Sequence, residues 1–208
     1  MEINTNGKRI GIMGGTFNPI HYGHLMLAEQ IRTHYKLDKI IFIPVGIAPH
    51  KNDPLKDNRS DRFEMTRLAI ETNPYFEVSD FEIKRDVISY SIDTILYLKS
   101  SMTEADKLFF ITGADAIVLL DTWYRSELLC KHVTFVAATR PGTDYNYFEE
   151  KINALIKKYH AKIEMCFIPA LAISSTDIRE RVASNKSIKY LLPETVEAYI
   201  YEKGLYRA

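Results

Sequence analysis

The chain has 208 residues, 46% hydrophobic and 26% charged, the composition of an ordinary globular protein with one domain spanning 1–208. Lys+Arg and Asp+Glu both number 27, so no global positive field gathers nucleic acid or an anionic membrane, although a local anion site needs only nearby donors. The two cysteines, Cys130 and Cys166, lie in separate apolar runs and read as buried thiols of a reducing compartment, although their number alone leaves a disulfide open. With no apolar leader and no run of transmembrane length, the sequence reads as cytoplasmic.

Short β-branched runs alternate with helical patterns along the whole chain. Lys8–Met13 reads as a strand, His24–Tyr35 as a helix and Lys39–Pro44 as a strand, followed by a long proline-bearing loop over Val45–Asn58. Ser60–Thr72 is helical in pattern, Phe76–Ile83 reads as a further strand, and Ser91–Ser101 as a helix. Strands at Lys107–Thr112, His132–Thr139 and Ile163–Ile168 then alternate with helical patterns at Ala114–Leu120 and Tyr147–Tyr159. A last helix begins near Pro193 and stops at Gly204. Near-continuous apolarity predicts strands buried on both faces, hence a doubly wound, Rossmann-like parallel α/β sheet with helices above and below. Ligands of such sheets bind beyond the carboxyl ends of the strands, where the strand order reverses.

The stretch GGTFNPIHYGHL, Gly14–Leu25, stands directly after the first strand. Gly14 and Gly15 permit a sharp turn and close approach of a ligand to the backbone, while Thr16 and Asn18 add short polar groups. The spacing is neither GxGxxG nor GxxxxGK[ST]. His21 and His24 are three apart at a helix entry, so both imidazoles can donate into one small volume. A zinc site is disfavoured by the i,i+3 spacing and by the lack of an identifiable third ligand beyond His50. Two histidines of this kind can also simply pack or cap a helix. Glycines, a strand end and a helix start in one place favour donors to phosphate oxygens.

A second polar helix entry, ISSTDIRER, spans Ile173–Arg181. Ser174 or Ser175 can cap it, and Ser174 with Asp177 fits a capping box. Ser175, Thr176 and Arg179 would also gather hydroxyls and a guanidinium fork around one helix N-terminus, a phosphate-binding combination.

On these two motifs the sequence resembles the HxGH nucleotidyltransferase superfamily. PHK (Pro49–Lys51), SYSIDT (Ser89–Thr94), GADA (Gly113–Ala116), WYR (Trp123–Arg125) and RPG (Arg140–Gly142) extend the likeness to the bacterial nicotinate-nucleotide adenylyltransferase family. The resemblance implies transfer of AMP from ATP to nicotinate mononucleotide, giving nicotinate adenine dinucleotide and pyrophosphate, with Mg²⁺ accompanying ATP. It implies His21, His24 and Arg179 as catalytic donors, with Gly14, Gly15, Thr16, Phe17, Ser174, Ser175 and Thr176 completing the ATP site. To the mononucleotide it assigns Asn18, Lys51, Ser91, Gly113, Asp115, Trp123, Tyr124 and Arg140, with Trp123 against the pyridine ring. No protein side chain is assigned to a metal. Relatives often carry Thr at the position of Ser91 and Asp at that of Asn18; the hydroxyl and the polar character persist. By itself Trp123, the single tryptophan, reads equally as a core residue. An acceptor such as phosphopantetheine or nicotinamide mononucleotide, and a non-catalytic nucleotide sensor, are the alternatives, and a homo-oligomer is compatible with the sequence. A Rossmann dehydrogenase is disfavoured, because the sequence has neither the glycine fingerprint nor an acid clearly placed after the second strand.

Overall fold

The computed structural model describes residues 7–48, 58–139, 145–169 and 171–207. Six strands form one parallel sheet: β1 (Arg9–Gly15), β2 (Lys39–Pro44), β3 (Phe76–Val78), β4 (Lys107–Gly113), β5 (Thr134–Thr139) and β6 (Lys162–Phe167). Their order is β3-β2-β1-β4-β5-β6, so the winding reverses between β1 and β4. In-register pairs such as Met13–Ile111 and Gly14–Ile43 bring the ends of β1, β2 and β4 to one level. The predicted doubly wound sheet is therefore the observed one.

Strand side chains alternate between two apolar layers, as a period of two requires. Ile40, Phe42, Phe109 and Ile111 join one layer, closed by α1 (Tyr22–His34), α2 (Arg59–Ile70), α7 (Ser175–Ala183) and α8 (Glu194–Glu202). Their neighbours Ile41, Ile43, Leu108 and Phe110 join the other. That layer is covered by α3 (Ser91–Lys99), α4 (Ala114–Ile117), α5 (Ser126–His132) and α6 (Tyr145–Tyr159). Cys130 and Cys166 are both buried free thiols, one in each layer. No helix among the described residues is long and apolar enough to cross a membrane.

Several elements differ in extent from the sequence reading. The strand expected over Phe76–Ile83 stops at Val78, because Ser79 makes the last ladder bond to Phe42 and the chain then folds into turns. Further on, Ile88 pairs with Ile47 in an isolated parallel bridge. The helix expected over Ala114–Leu120 ends at Ile117 and gives way to a 3₁₀ turn, Leu120–Thr122. The separate helix α5 follows, entered through Arg125 in left-handed backbone (φ 52°). Most of the loop predicted over Val45–Asn58 lies outside the described residues.

Candidate active site

The site lies at the reversal point, where β1 runs into its glycine turn. Helix α1 starts two residues earlier than its hydrophobic pattern suggests, so His21 is the N-cap and His24 stands in the first turn. The two rings stack with centroids 3.8 Å apart. The His21 backbone N–H donates to His24 Nδ1 at 3.3 Å. A neutral imidazole that accepts at Nδ1 carries its proton on Nε2, so this bond selects the Nε2–H tautomer. His21 is buried and His24 half-buried.

Phe17 explains the shape of the turn. It occupies left-handed backbone (φ 48°), and its ring is 2% exposed against His24 and Phe42. A Cβ on Gly15 would meet that ring at 2.8 Å, whereas one on Gly14 would stand in open space. The two glycines thus serve different ends: Gly15 admits Phe17, and Gly14 leaves the backbone bare towards the cleft. The ring of Phe17 is core, so only its backbone remains to line a ligand.

The other end of the chain closes on this turn. Arg179 Nη1 donates to the Asn18 carbonyl at 2.8 Å, and Nη2 to Thr176 Oγ1 at 3.2 Å. Ser175 Oγ donates to the Pro19 carbonyl at 2.8 Å. Ser174 is the cap of α7, accepting from the Asp177 N–H at 3.1 Å, while the Asp177 carboxylate bonds Arg181 Nε at 2.8 Å. His21, His24, Ser175, Thr176 and Arg179 are therefore brought to one corner, as the two motifs predicted.

Sequence reasoning missed a buried polar network beside the turn. Arg62 is wholly buried, giving Nη1 to the Thr16 carbonyl at 2.9 Å and Nε to Asn58 Oδ1 at 3.1 Å. Asn58 Nδ2 in turn reaches Asn18 Oδ1 at 3.3 Å, and the Tyr206 hydroxyl reaches the same oxygen at 2.6 Å. Asn18 is accordingly 6% exposed and is no part of the cleft wall described next. The side chain that the resemblance assigns to the mononucleotide has its amide oxygen engaged in the network that holds the turn. Arg62 sits in a charged helix, RSDRFEMTR, where nothing in the spacing marks one arginine as internal.

On the other flank of the turn opens a cleft of about 570 Å³, lined by Gly14, Gly15 and Thr16 together with Ser91, Thr112, Trp123 and Tyr124, among others. Trp123 stands in extended backbone between the 3₁₀ turn and α5, not within a helix. Its edge contacts with Phe110 (5.7 Å) and Phe135 (6.3 Å) anchor it to the core while it also lines the cleft. Tyr124 is exposed and lies 4.3 Å from Tyr90, centroid to centroid. Gly113 is the N-cap of α4 and Asp115 is exposed in its first turn, both at the carboxyl end of β4 and outside the cleft wall. Lys51 and Arg140 lie outside the described residues, as does His50.

Glu82 is a second residue the sequence did not mark. Its buried carboxyl lines the cleft and accepts from Thr94 Oγ1 at 2.6 Å and the Gly46 N–H at 3.4 Å. Desolvation raises its pKa above the ordinary carboxylate value, outweighing the hydrogen bonds from Thr94, Gly46 and Ser89 and the field of Arg85. It ties the segment after β2 to the start of α3.

The comparisons with known proteins agree with this geometry. Residues 12–181 match the family described as "Cytidylyltransferase-like". A Thermoanaerobacter protein described as "Probable nicotinate-nucleotide adenylyltransferase" is 52% identical over 96% of this chain and 94% of its own length. One of the same description from Moorella thermoacetica is 50% identical over 100% of this chain and 95% of its own length. The structure of Plasmodium falciparum nicotinic acid mononucleotide adenylyltransferase complexed with NaAD superposes with a TM-score of 0.76 at 21% identity, covering 96% of this chain and 97% of that one. Fold and site thus define a nucleotidyltransferase of the cytidylyltransferase-like class. Within it, the chain belongs to the nicotinate-nucleotide adenylyltransferase family.

The Glu82 carboxyl gives a pH test. Its pKa is higher in the folded than in the unfolded chain, so the folded protein binds more protons between the two values. Its contribution is most favourable below the ordinary carboxylate pKa and is lost as pH rises through the folded value. Glu82→Gln removes this titration. Between about pH 4 and about pH 8 the melting temperature of the variant, measured against the parent, is expected to shift in the variant's favour. A difference that stays constant with pH would contradict a desolvated carboxylate here.

Proposed function

We propose that the protein transfers the adenylyl group of ATP to nicotinate mononucleotide, forming nicotinate adenine dinucleotide and releasing pyrophosphate. One observation carries this reading: Gly14, Gly15 and Thr16 line the aromatic cleft and lead directly into the turn held by Arg179 and Ser175. A nucleotide phosphate seated in the cleft and a triphosphate seated at the histidine corner would meet across one short backbone.

The chemistry needs little else. A phosphate oxygen of the mononucleotide is already an anion, so it attacks the ATP α-phosphorus without a general base. The bond from that phosphorus to the α,β-bridging oxygen breaks, and pyrophosphate carries away the electron pair. The barrier lies in bringing two anionic phosphates together and in line. His24 Nε2–H, His21, the Arg179 fork and the N-terminus of α7 would place hydrogen-bond donors and the guanidinium charge around the transferring group, where they count most. Ser175 and Thr176 sit in the first turn of α7, and Ser174 caps it.

Mg²⁺ fits as a companion of ATP rather than a resident ion. Among the described residues no group of three or more His, Cys, Asp or Glu is placed to hold a metal. Mg²⁺ is commonly held by substrate phosphates and water, where it spreads the charge of the triphosphate. On the acceptor side, Trp123 and Tyr124 offer rings to the pyridine, and Ser91 and Thr112 offer hydroxyls nearby. Asp115 and Gly113 stand where the nucleotide would pass the end of β4.

Pyrophosphate release should require ATP, Mg²⁺ and nicotinate mononucleotide together; release with phosphopantetheine but not with the mononucleotide would overturn the assignment of the acceptor. His24→Ala is expected to lower kcat by about 10²–10³, the usual loss on removing one preorganised donor, and unchanged turnover would make His24 a packing residue. Trp123→Ala is expected to raise KM for the mononucleotide more than KM for ATP, a ring stack being worth ~1–3 kcal/mol. Equal effects on the two substrates would contradict the place given to the pyridine.

A further inference from the structure

The segment that follows α8 turns back onto the glycine turn. Gly204 (φ 63°) reverses the chain at the end of α8, and Tyr206 (φ 64°) lies in left-handed backbone, which is disfavoured for a residue with a Cβ. Its ring packs against the core, and its hydroxyl donates to Asn18 Oδ1 at 2.6 Å, with Met65 Sδ at 3.9 Å. Asn18 gives its backbone carbonyl to Arg179 Nη1 at 2.8 Å. One buried residue thus receives the tyrosine hydroxyl on its side chain and one arm of the arginine fork on its main chain.

Without the hydroxyl, Asn18 Oδ1 would keep only the longer bond from Asn58, at 3.3 Å. Asn18 would lose its shorter side-chain anchor, and the residue whose carbonyl accepts from Arg179 would be held less firmly. Burial pushes the Tyr206 phenol upward in pKa, so it stays a donor throughout the neutral range.

We propose that Tyr206 is a positioning residue for adenylyl transfer: by fixing Asn18 it fixes the carbonyl that holds the Arg179 guanidinium at the triphosphate corner. This rests on the reading of Arg179 as a phosphate donor. A donor misplaced by about 1 Å can cost up to about 10² in rate, so a partial loss of register costs less.

The test is a double-mutant cycle on the full chain, with kcat and both KM values measured for Tyr206→Phe, Arg179→Ala and the pair. Tyr206→Phe keeps the ring and its volume. It is expected to lower kcat by about tenfold while KM for the mononucleotide stays within about twofold, and to have almost no further effect in the Arg179→Ala background. Parent-like kcat, or the same loss with Arg179 already removed, overturns the proposal. Arg179→Ala with unchanged kcat would instead overturn the phosphate-donor reading itself, and the proposal with it. A second pair of variants guards against misfolding. Asn18→Asp keeps an oxygen for the hydroxyl and should hold kcat within about threefold, whereas Asn18→Leu lacks the acceptor and should show the Tyr206→Phe loss. Equal kcat for these two variants contradicts the chain of contacts.

Discussion

Everything in this site depends on how the turn Thr16–Pro19 is gripped. Its carbonyl oxygens at Thr16, Asn18 and Pro19 are taken by Arg62, Arg179 and Ser175, at 2.8–2.9 Å. Two of these three donors are guanidinium groups, and hydrogen bonds to charged partners are the stronger kind. A turn whose carbonyls are already engaged by donors shows less negative charge to an incoming polyphosphate. The same bonds tie residues separated by up to 161 positions in sequence, so the site exists only when both ends of the chain are in place.

The sheet supplies the frame for this grip. Because the winding reverses between β1 and β4, the helices that follow these strands leave on opposite faces and open a crevice at their carboxyl ends. One side of the crevice is the polar corner of His21, His24 and α7. The other is the aromatic cleft, where Trp123 is steadied edge-on by Phe110 and Phe135. Glu82 braces that cleft by joining Gly46 to Thr94 across two loops. The polar groups stand on one flank and the aromatic rings on the other, with Gly14 between them.

How much of this was legible in the sequence varies with the physics of each residue. The sheet was readable because runs such as KIIFIP and KLFFIT are apolar at successive positions, which only a strand buried on both faces requires. The histidine corner was readable because glycines, a strand end and a helix entry coincide at GGTFNPIHYGH. The fine positions were not. Phe17 looked like part of a binding loop, yet its ring is core. Asn18 reads as one short polar group of a loop, and nothing local shows that it is the hub of a buried network. Arg62, Glu82 and Tyr206 carry no local signal at all. A lone arginine or glutamate in a charged stretch is usually solvated, and only the tertiary fold shows that Arg62 lies under Thr16, or that Tyr206 returns to Asn18. Their roles come from contacts made across 46 and 188 positions, and no periodicity reports these.

The most direct measurement is a crystal structure of the protein with a non-hydrolysable ATP analogue and Mg²⁺. The α-phosphate is expected within hydrogen-bonding reach of His24 Nε2, with the Arg179 guanidinium on the same triphosphate and the cleft beside Trp123 left open for the acceptor. A triphosphate bound away from both His24 and Arg179 would contradict the account.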